Sequence, residues 1–315
     1  MDTLDFGHLL RSLPELNRPQ LRALVKQADE TLQHDDVNCV AEKRCEHLER
    51  CPHCQSQHFV RWGHKDGHQR FRCKQCYRTF NEYSGTSFAR LKHRGHKLAS
   101  YAQCMKEGVN LRQAAERCDM NLATSFRWRH RFLQQPEAHR ANTLGGIVEA
   151  DEAFFRESFK GKRTINHRLP RKHGRPGADG SNPLIPVLVL LDRYEREADF
   201  VLSTNSQEEL KPCIEGRIKA DSVLCTDGSR VYPAIAEDTF LLHRPVPIGT
   251  PGRTKGNGVF HIQTLNNYIA RLRGWLRHFN GVGTAYLSDY LGWWRVVTQQ
   301  RLESRRAWLE EGMLI

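Results

Sequence analysis

The sequence predicts a multidomain α+β chain in which a helical N-terminal segment and a small cysteine-bearing ribbon precede a helix-turn-helix and an α/β domain. Three observations predict it. After Pro19, the residues Leu21, Leu24, Val25, Ala28 and Leu32 recur at the spacing of a one-faced helix. From Cys51 to Phe80, two strand-like pieces, HFVRWG and QRFRC, flank the polar turn HKDGH, as in a hairpin. From residue 145 onward, the strand candidates GGIVEAD, IPVLVLLDR and ADFVLSTN precede a helical QEELKPCIEGRI and a further strand, SVLCTDG. Three strands, a helix and a strand in that order indicate α/β layers. A chain of 315 residues has room for two or three such units, each with its own core.

The first segment, residues 1–47, reads as a structural or docking helix. Residues 48–84 hold the ribbon. Cys51, Cys54, Cys73 and Cys76 stand in a C-x2-C-x18-C-x2-C arrangement. Two tight thiolate turns joined by a hairpin make the sulfur cage that structural Zn2+ prefers, and a domain this small needs the metal to fold. With four cysteines available, His53, His64 and His68 read as surface residues. Cys39, Cys45, Cys104, Cys118, Cys213 and Cys225 read as reduced packing residues. Arg61, Lys65, Arg70, Arg72, Lys74 and Arg78 interleave with Phe59, Trp62, Phe71 and Tyr77, a surface suited to phosphate backbone or to protein docking.

Charge narrows the partners. Lys and Arg number 48 against 36 Asp and Glu, for a net charge of +12, so a polyanion is the natural ligand. Nucleic acid is favoured over a membrane, because no run of 18 apolar residues occurs. The first 20 residues lack a basic region followed by an apolar stretch, so a cytosolic site of action is expected. Within residues 95–135, Leu111, Ala114, Ala115 and Cys118 form one short helix, Asp119 to Asn121 a turn, and Ala123 to Leu133 a second helix. This resembles a helix-turn-helix, with Thr124, Ser125, Arg127, Arg129 and Arg131 as candidate DNA contacts; the alternative is a basic helical hairpin that only packs.

A linker at about 134–145 leads into the α/β domain, residues 145–310. Two long loops interrupt that domain, a basic one after the first strand and a Pro/Gly-rich one at RPVPIGTPGRTKGNG. Strand alternation puts Glu149 and Asp151 on one face of IVEADE, and Cys225 and Asp227 on one face of VLCTDG. If the two strands are neighbours, Asp151 and Asp227 converge into a hard-oxygen site for Mg2+ or Mn2+, the ions of phosphodiester chemistry. No phosphate loop, G-x-S-x-G elbow or H-E-x-x-H helix is present, which argues against ATP use, ester hydrolysis and zinc proteolysis.

These residues together resemble the insertion-sequence transposases of bacteria that carry an N-terminal zinc ribbon and an RNase H-like domain, the ISXO2-like group. The resemblance runs through CPHC, RCKQC, the helix-turn-helix, GGIVEADEAFF, VLCTDG and HIQTLNNYIARLRGWLRHF. It implies an antiparallel three-strand meander extended by parallel strands into a mixed sheet. It also implies metal-dependent cleavage at terminal inverted repeats, transfer of the 3′ hydroxyl into target DNA, and a homo-oligomer that pairs the two ends. The alternative is a DNA-binding descendant that no longer cuts.

Members of the group carry Asp, Asp and a third residue, Glu or Asn. Asp151 and Asp227 match the first two, and Asn266 the third. Helical phase agrees: Ile262, Leu265, Ile269, Leu272, Leu276 and Phe279 form the apolar stripe, Asn266 falls roughly 90° from its centre, and Asn267 faces away. Arg273 and Arg277 share the flank of Asn266 and are candidate DNA contacts. His261, on the other margin, reads as a capping or packing residue. An amide ligates Mg2+ but brings no charge, which leaves Glu149 or Glu152 as possible further ligands.

Overall fold

The structure is a computed structural model that describes residues 3–92, 95–134, 139–162, 164–166, 183–247, 249 and 251–313. Most of the basic loop after the first strand of the α/β domain lies outside the described residues. The chain forms two compact units, one of residues 1–134 with 302–315 and the other of residues 135–301. The second unit therefore ends short of residue 310, where sequence placed its boundary. The C-terminal helix belongs to the first unit.

In the first unit, α1 (Thr3–Ser12) precedes α2 (Arg18–Glu46), whose start is fixed by a capping box between Asn17 and Gln20 with Pro19 in the first turn. The buried residues of α2 are Gln33, Val37, Val40 and Ala41, whereas Leu21, Val25 and Leu32 are exposed. Periodicity correctly marked a helix at 21–32, but the packed face lies further along it. The ribbon comprises β1 (Phe59–Lys65), β2 (His68–Cys73) and β3 (Thr79–Phe80), paired antiparallel in that order. Its first turn is only Asp66–Gly67, both with positive φ, as a two-residue hairpin loop requires. Three helices follow, α3 (Gly95–Lys106), α4 (Leu111–Arg117) and α5 (Leu122–Phe132). The last helix, α10 (Arg305–Met313), packs on α2 and α3 with Trp308, Leu309 and Met313 buried. Arg305 pairs with Asp36 at 2.8 Å and Asp29 at 3.2 Å.

In the second unit, a five-stranded mixed sheet is built from β4 (Ile147–Arg156), β5 (Leu184–Asp192), β6 (Glu197–Val201), β7 (Val223–Thr226) and β8 (Leu242–Pro245). Their order is β6-β5-β4-β7-β8. The first three form an antiparallel meander, and β7 and β8 run parallel to β4, the arrangement that the resemblance implied. Two elements beyond the sequence reading complete it: β8 and the helix α7 (Val231–Asp238). On one face, Val148, Ala150, Leu188 and Leu190 pack with α6 (Gln207–Ile214) and α7 through Leu210, Ile214, Tyr232 and Ile235. On the other face lie α8 (Gln263–Arg277), against β4 and β5, and α9 (Leu287–Thr298), against β6. Trp275 holds these helices together, with ring centroids 5.1 Å from Trp293 and 5.5 Å from Trp294.

The α9 contact with β6 buries charge. Arg295 and Asp199 form a fully buried ion pair, and Glu197 beside them is held up at about 7, by burial first and by the charge of Asp199 second. The folded state thus takes up a proton at Glu197 at a higher pH than the unfolded chain does. Its stabilising contribution is present below the ordinary pKa of about 4.5 and is lost as pH rises through about 7. Melting temperature measured between pH 5 and 8 is expected to fall more steeply with pH in the wild type than in Glu197→Gln.

Candidate active site and metal centre

The ribbon's four cysteines converge. Their sulfurs all lie within 4.8 Å of one another, with Cys51 and Cys76 3.7 Å apart and Cys54 and Cys73 3.5 Å apart. A tetrahedral ion with bonds of about 2.3 Å sets its sulfurs about 3.8 Å apart, close to the two pairs above, so the four cysteines could hold zinc. Backbone N–H groups aim into it: His53 donates to Cys51 Sγ at 3.4 Å, and Gln75 and Cys76 donate to Cys73 Sγ at 3.3 and 3.5 Å. The four thiols share their charge unevenly: the Cys76 N–H foremost pulls Cys73 down to about 6, while Cys51 is pushed up by burial and Cys54 is pushed up as well, in part by the neighbouring thiols. The histidines stay outside the cage, and His68 instead pairs with buried Glu82 at 2.5 Å.

The two short helices expected at 111–118 and 123–133 both form, each started by an asparagine cap. Asn110 caps α4 in a box with Gln113, and Asn121 caps α5 through the Thr124 N–H at 2.8 Å. Burial corrects the set of candidate DNA contacts on α5. Ser125 is fully buried; its hydroxyl donates to Leu111 O at 3.0 Å, and the Tyr101 hydroxyl donates to its backbone carbonyl. Arg129 is also fully buried and donates to Val109 O at 2.8 Å. Both face the helices behind α5, where they satisfy backbone carbonyls and cannot reach DNA. Arg131 is half-buried and donates to Ser87 O at 3.2 Å. Thr124 is half-buried and Arg127 exposed, and they leave the open face of α5 to Leu122, Ala123, Thr124 and Arg127.

In the second unit, β7 pairs parallel with β4 in the register Glu149 to Cys225. Two residues further along stand Asp151, in the middle of β4, and Asp227, just past the end of β7. Burial, together with the negative charge of Asp227, raises the Asp151 carboxyl to about 6, while the Glu152 N–H, at 2.8 Å, and Arg273 pull the other way. Asp227 accepts from the Ser229 N–H at 2.8 Å, and the chain turns sharply behind it at Gly228. That glycine has φ 89°, and an added Cβ would meet Pro247 at 3.1 Å. Helix α8 runs alongside β4: its Leu265 N–H meets Glu149, and its Arg273 acts on Asp151. Asn266, Arg273 and Arg277 are exposed on one flank of α8, and Tyr268 joins the buried stripe. Asn267 is exposed as well. Among the described contacts, none joins the Asn266 amide to either aspartate.

Residues 143–294 match the ISXO2-like transposase domain. The chain carries an ISXO2-like transposase domain. Over 259 residues it is 29% identical to an uncharacterized protein in transposable element ISH50 of Halobacterium salinarum, covering 81% of this chain and 87% of that protein. Among solved structures, a pre-cleavage Mos1 transpososome is 11% identical with a TM-score of 0.24, covering 72% of this chain and 82% of that one. The Mos1 strand transfer complex is 12% identical with a TM-score of 0.23, covering 72% and 81%. The fold of the ISXO2-like domain is accordingly read from its own strand order. Among the described residues, no helix is long and apolar enough to cross a membrane.

Two acidic neighbours of Asp151 have other duties in the ISXO2-like domain. Glu149 is buried, accepts from the Leu265 N–H at 2.8 Å, forms an ion pair with Arg193, and has His261 Nδ1 3.4 Å away. It is the anchor of α8 rather than a further metal ligand. Strand alternation places it beside the aspartates, but only the tertiary structure shows what it holds. Glu152 accepts from the Tyr232 hydroxyl at 2.7 Å, and its pKa is raised by burial and by the charges of Asp151 and Asp227. Among the described residues, the only group of three or more His, Cys, Asp or Glu side chains clustered closely enough to share an ion is the cysteine cage.

Two outcomes follow. Elemental analysis is expected to find one zinc per chain, lost in Cys73→Ser and on strong chelation, with loss of ribbon structure by NMR. Glu149→Ala is expected to destabilise the ISXO2-like domain by about 2–3 kcal/mol in urea unfolding, because it removes charged hydrogen bonds from a buried site.

Proposed function

We propose that this protein is a DNA transposase that cuts the ends of its insertion sequence and joins the released 3′ hydroxyl to target DNA. The observation that carries the reading is the convergence of Asp151, in the middle of β4, with Asp227, just past the end of the neighbouring β7, under the charge of Arg273. The ISXO2-like domain and the likeness to a protein of a transposable element support it.

Two mutually repelling carboxylates are a donor set that a divalent cation would relieve, and Mg2+ or Mn2+ suits their hard oxygens. Bound there, divalent metal supplies Lewis-acid activation of the attacking hydroxyl and neutralises the leaving oxygen. Asp151 and Asp227 hold the ion. Asn266, projecting from the flank of α8 that also carries Arg273, offers a neutral carbonyl oxygen as the third ligand. Arg273 faces the scissile phosphate and offsets its charge, and Arg277, one turn on, contacts the next phosphate of the strand. Two carboxylates and an amide bring one negative charge fewer than three carboxylates, so metal binding is weaker and sensitive to Arg273.

Recognition falls to the first unit. Thr124 and Arg127 on the open face of α5 read or clamp the transposon end. Exposed Arg61, Lys65, Lys74 and Arg78 of the zinc ribbon contact its backbone. Joining two ends requires two copies of the chain in one complex.

The test is cleavage of a duplex carrying the inverted repeat that flanks the gene. With Mg2+ or Mn2+, wild type is expected to nick at the repeat boundary, and Asp151→Asn and Asp227→Asn to lose at least about a thousand-fold in rate. Both variants retain zinc and bind the duplex. Nicking that survives both substitutions would refute the site, and binding without any nicking by wild type would favour a non-cutting DNA-binding descendant.

A further inference from the structure

A cavity of about 840 Å³ opens in the second unit at the far end of β4 from Glu149. Its walls include Phe155, Phe159, Leu276 and Val282, together with the side chains of Arg273 and Arg277. Phe155 follows Asp151 by four residues on the same strand face, so it stands about 13 Å along β4 from that carboxylate. Arg273 is common to both places, since it lines the cavity and its charge also acts on Asp151. Neither aspartate lines the cavity itself.

Its chemistry selects a ligand that is flat and apolar at one end and anionic at the other. Aromatic and aliphatic walls accept a planar ring, and the guanidiniums of Arg273 and Arg277 can donate to phosphate oxygens, outweighing the single acidic wall residue, Glu157. A stacked duplex presents no base to such a concave site, whereas a single unstacked nucleotide presents both parts at once. The volume lies within the range of sites that enclose a small molecule, on the order of 300–1,000 Å³. A strand with one phosphate at Asp151 and Asp227 would carry its adjoining nucleotides past Arg273 toward Phe155.

We infer that this cavity receives one unstacked nucleotide of the DNA strand being cut, one or two positions from the scissile phosphate. The inference rests on the transposase reading above. Phe155 stacks on the base, Arg273 and Arg277 hold the phosphates on either side, and the extruded nucleotide fixes which phosphodiester reaches the aspartates.

The experiment uses the full chain and the duplex of the flanking inverted repeat, with 2-aminopurine placed in turn at each of the three positions on either side of the cleaved bond. Ca2+ replaces Mg2+ so that the strand remains whole. Wild type is expected to raise the fluorescence several-fold at one position, as unstacking does. Phe155→Ala and Val282→Trp, which remove the platform and fill the cavity, are expected to abolish the rise and weaken binding on the order of ten-fold. Phe155→Trp is expected to keep the signal, separating stacking from damage to the fold. A duplex that is bound in a gel shift and cut in Mg2+ without a rise at any position overturns the inference while leaving the transposase reading intact. So does a rise that survives both Phe155→Ala and Val282→Trp. A wild-type chain that neither binds nor cuts the duplex overturns both.

Discussion

The second unit depends on one buried carboxylate. Helix α8 starts at Ile262, whose side chain gives no cap, so its first-turn N–H groups need an acceptor from elsewhere. Glu149 supplies it from the central strand, accepting the Leu265 N–H, and the Glu149 charge is offset by Arg193. A lone carboxylate so deeply buried would be costly, but a helix N-terminus and a guanidinium make the burial stable. Asp151 lies two residues further along the same strand. The contact that secures α8 therefore also sets the level at which Asn266 and Arg273 pass Asp151, while Trp275 packs the opposite side of the helix on Trp293 and Trp294.

The same unit keeps a second, unsatisfied electrostatic arrangement. Asp151 and Asp227 lie close enough to repel, and their only described positive neighbour with an effect on Asp151 is Arg273. Carboxylates placed against each other on neighbouring strands cost stability and gain affinity for cations, a trade found where function sets the chemistry. The buried Arg295–Asp199 pair with Glu197 is different in kind, because it joins α9 to β6 far from any opening. Perturbed carboxyls thus occur at two places in this unit, and geometry separates the structural one from the candidate site.

Much of this was legible in the residues. The C-x2-C-x18-C-x2-C spacing predicts a cage because two short turns and a hairpin leave the sulfurs almost no alternative. Apolar spacing marks the two short helices at Leu111 to Cys118 and Ala123 to Leu133, and the structure adds the Asn110 and Asn121 caps that start them. Alternation in IVEADE and VLCTDG puts each aspartate on a defined face, and only the assumption that the strands are adjacent was needed for them to meet. The errors share one cause. Ser125 and Arg129 look like DNA contacts on a helix rich in Arg, His and Ser, yet Tyr101, Leu111 and Val109, remote in sequence, claim them. Leu21, Val25 and Leu32 look like a buried stripe, yet α2 is packed only from Gln33 onward.

The sequence by itself determined the local chemistry: the four-cysteine spacing, the excess of basic residues, and the faces on which Asp151, Asp227 and Asn266 stand. These follow from spacing and period, which act over a few residues. Only the tertiary structure decided that Glu149 anchors a helix, that α10 closes the first unit rather than the second, and that Arg129 points inward. Each of those depends on a partner tens to hundreds of residues away, and a side chain's role is fixed by what desolvates it and what satisfies it, neither of which its neighbours in sequence encode.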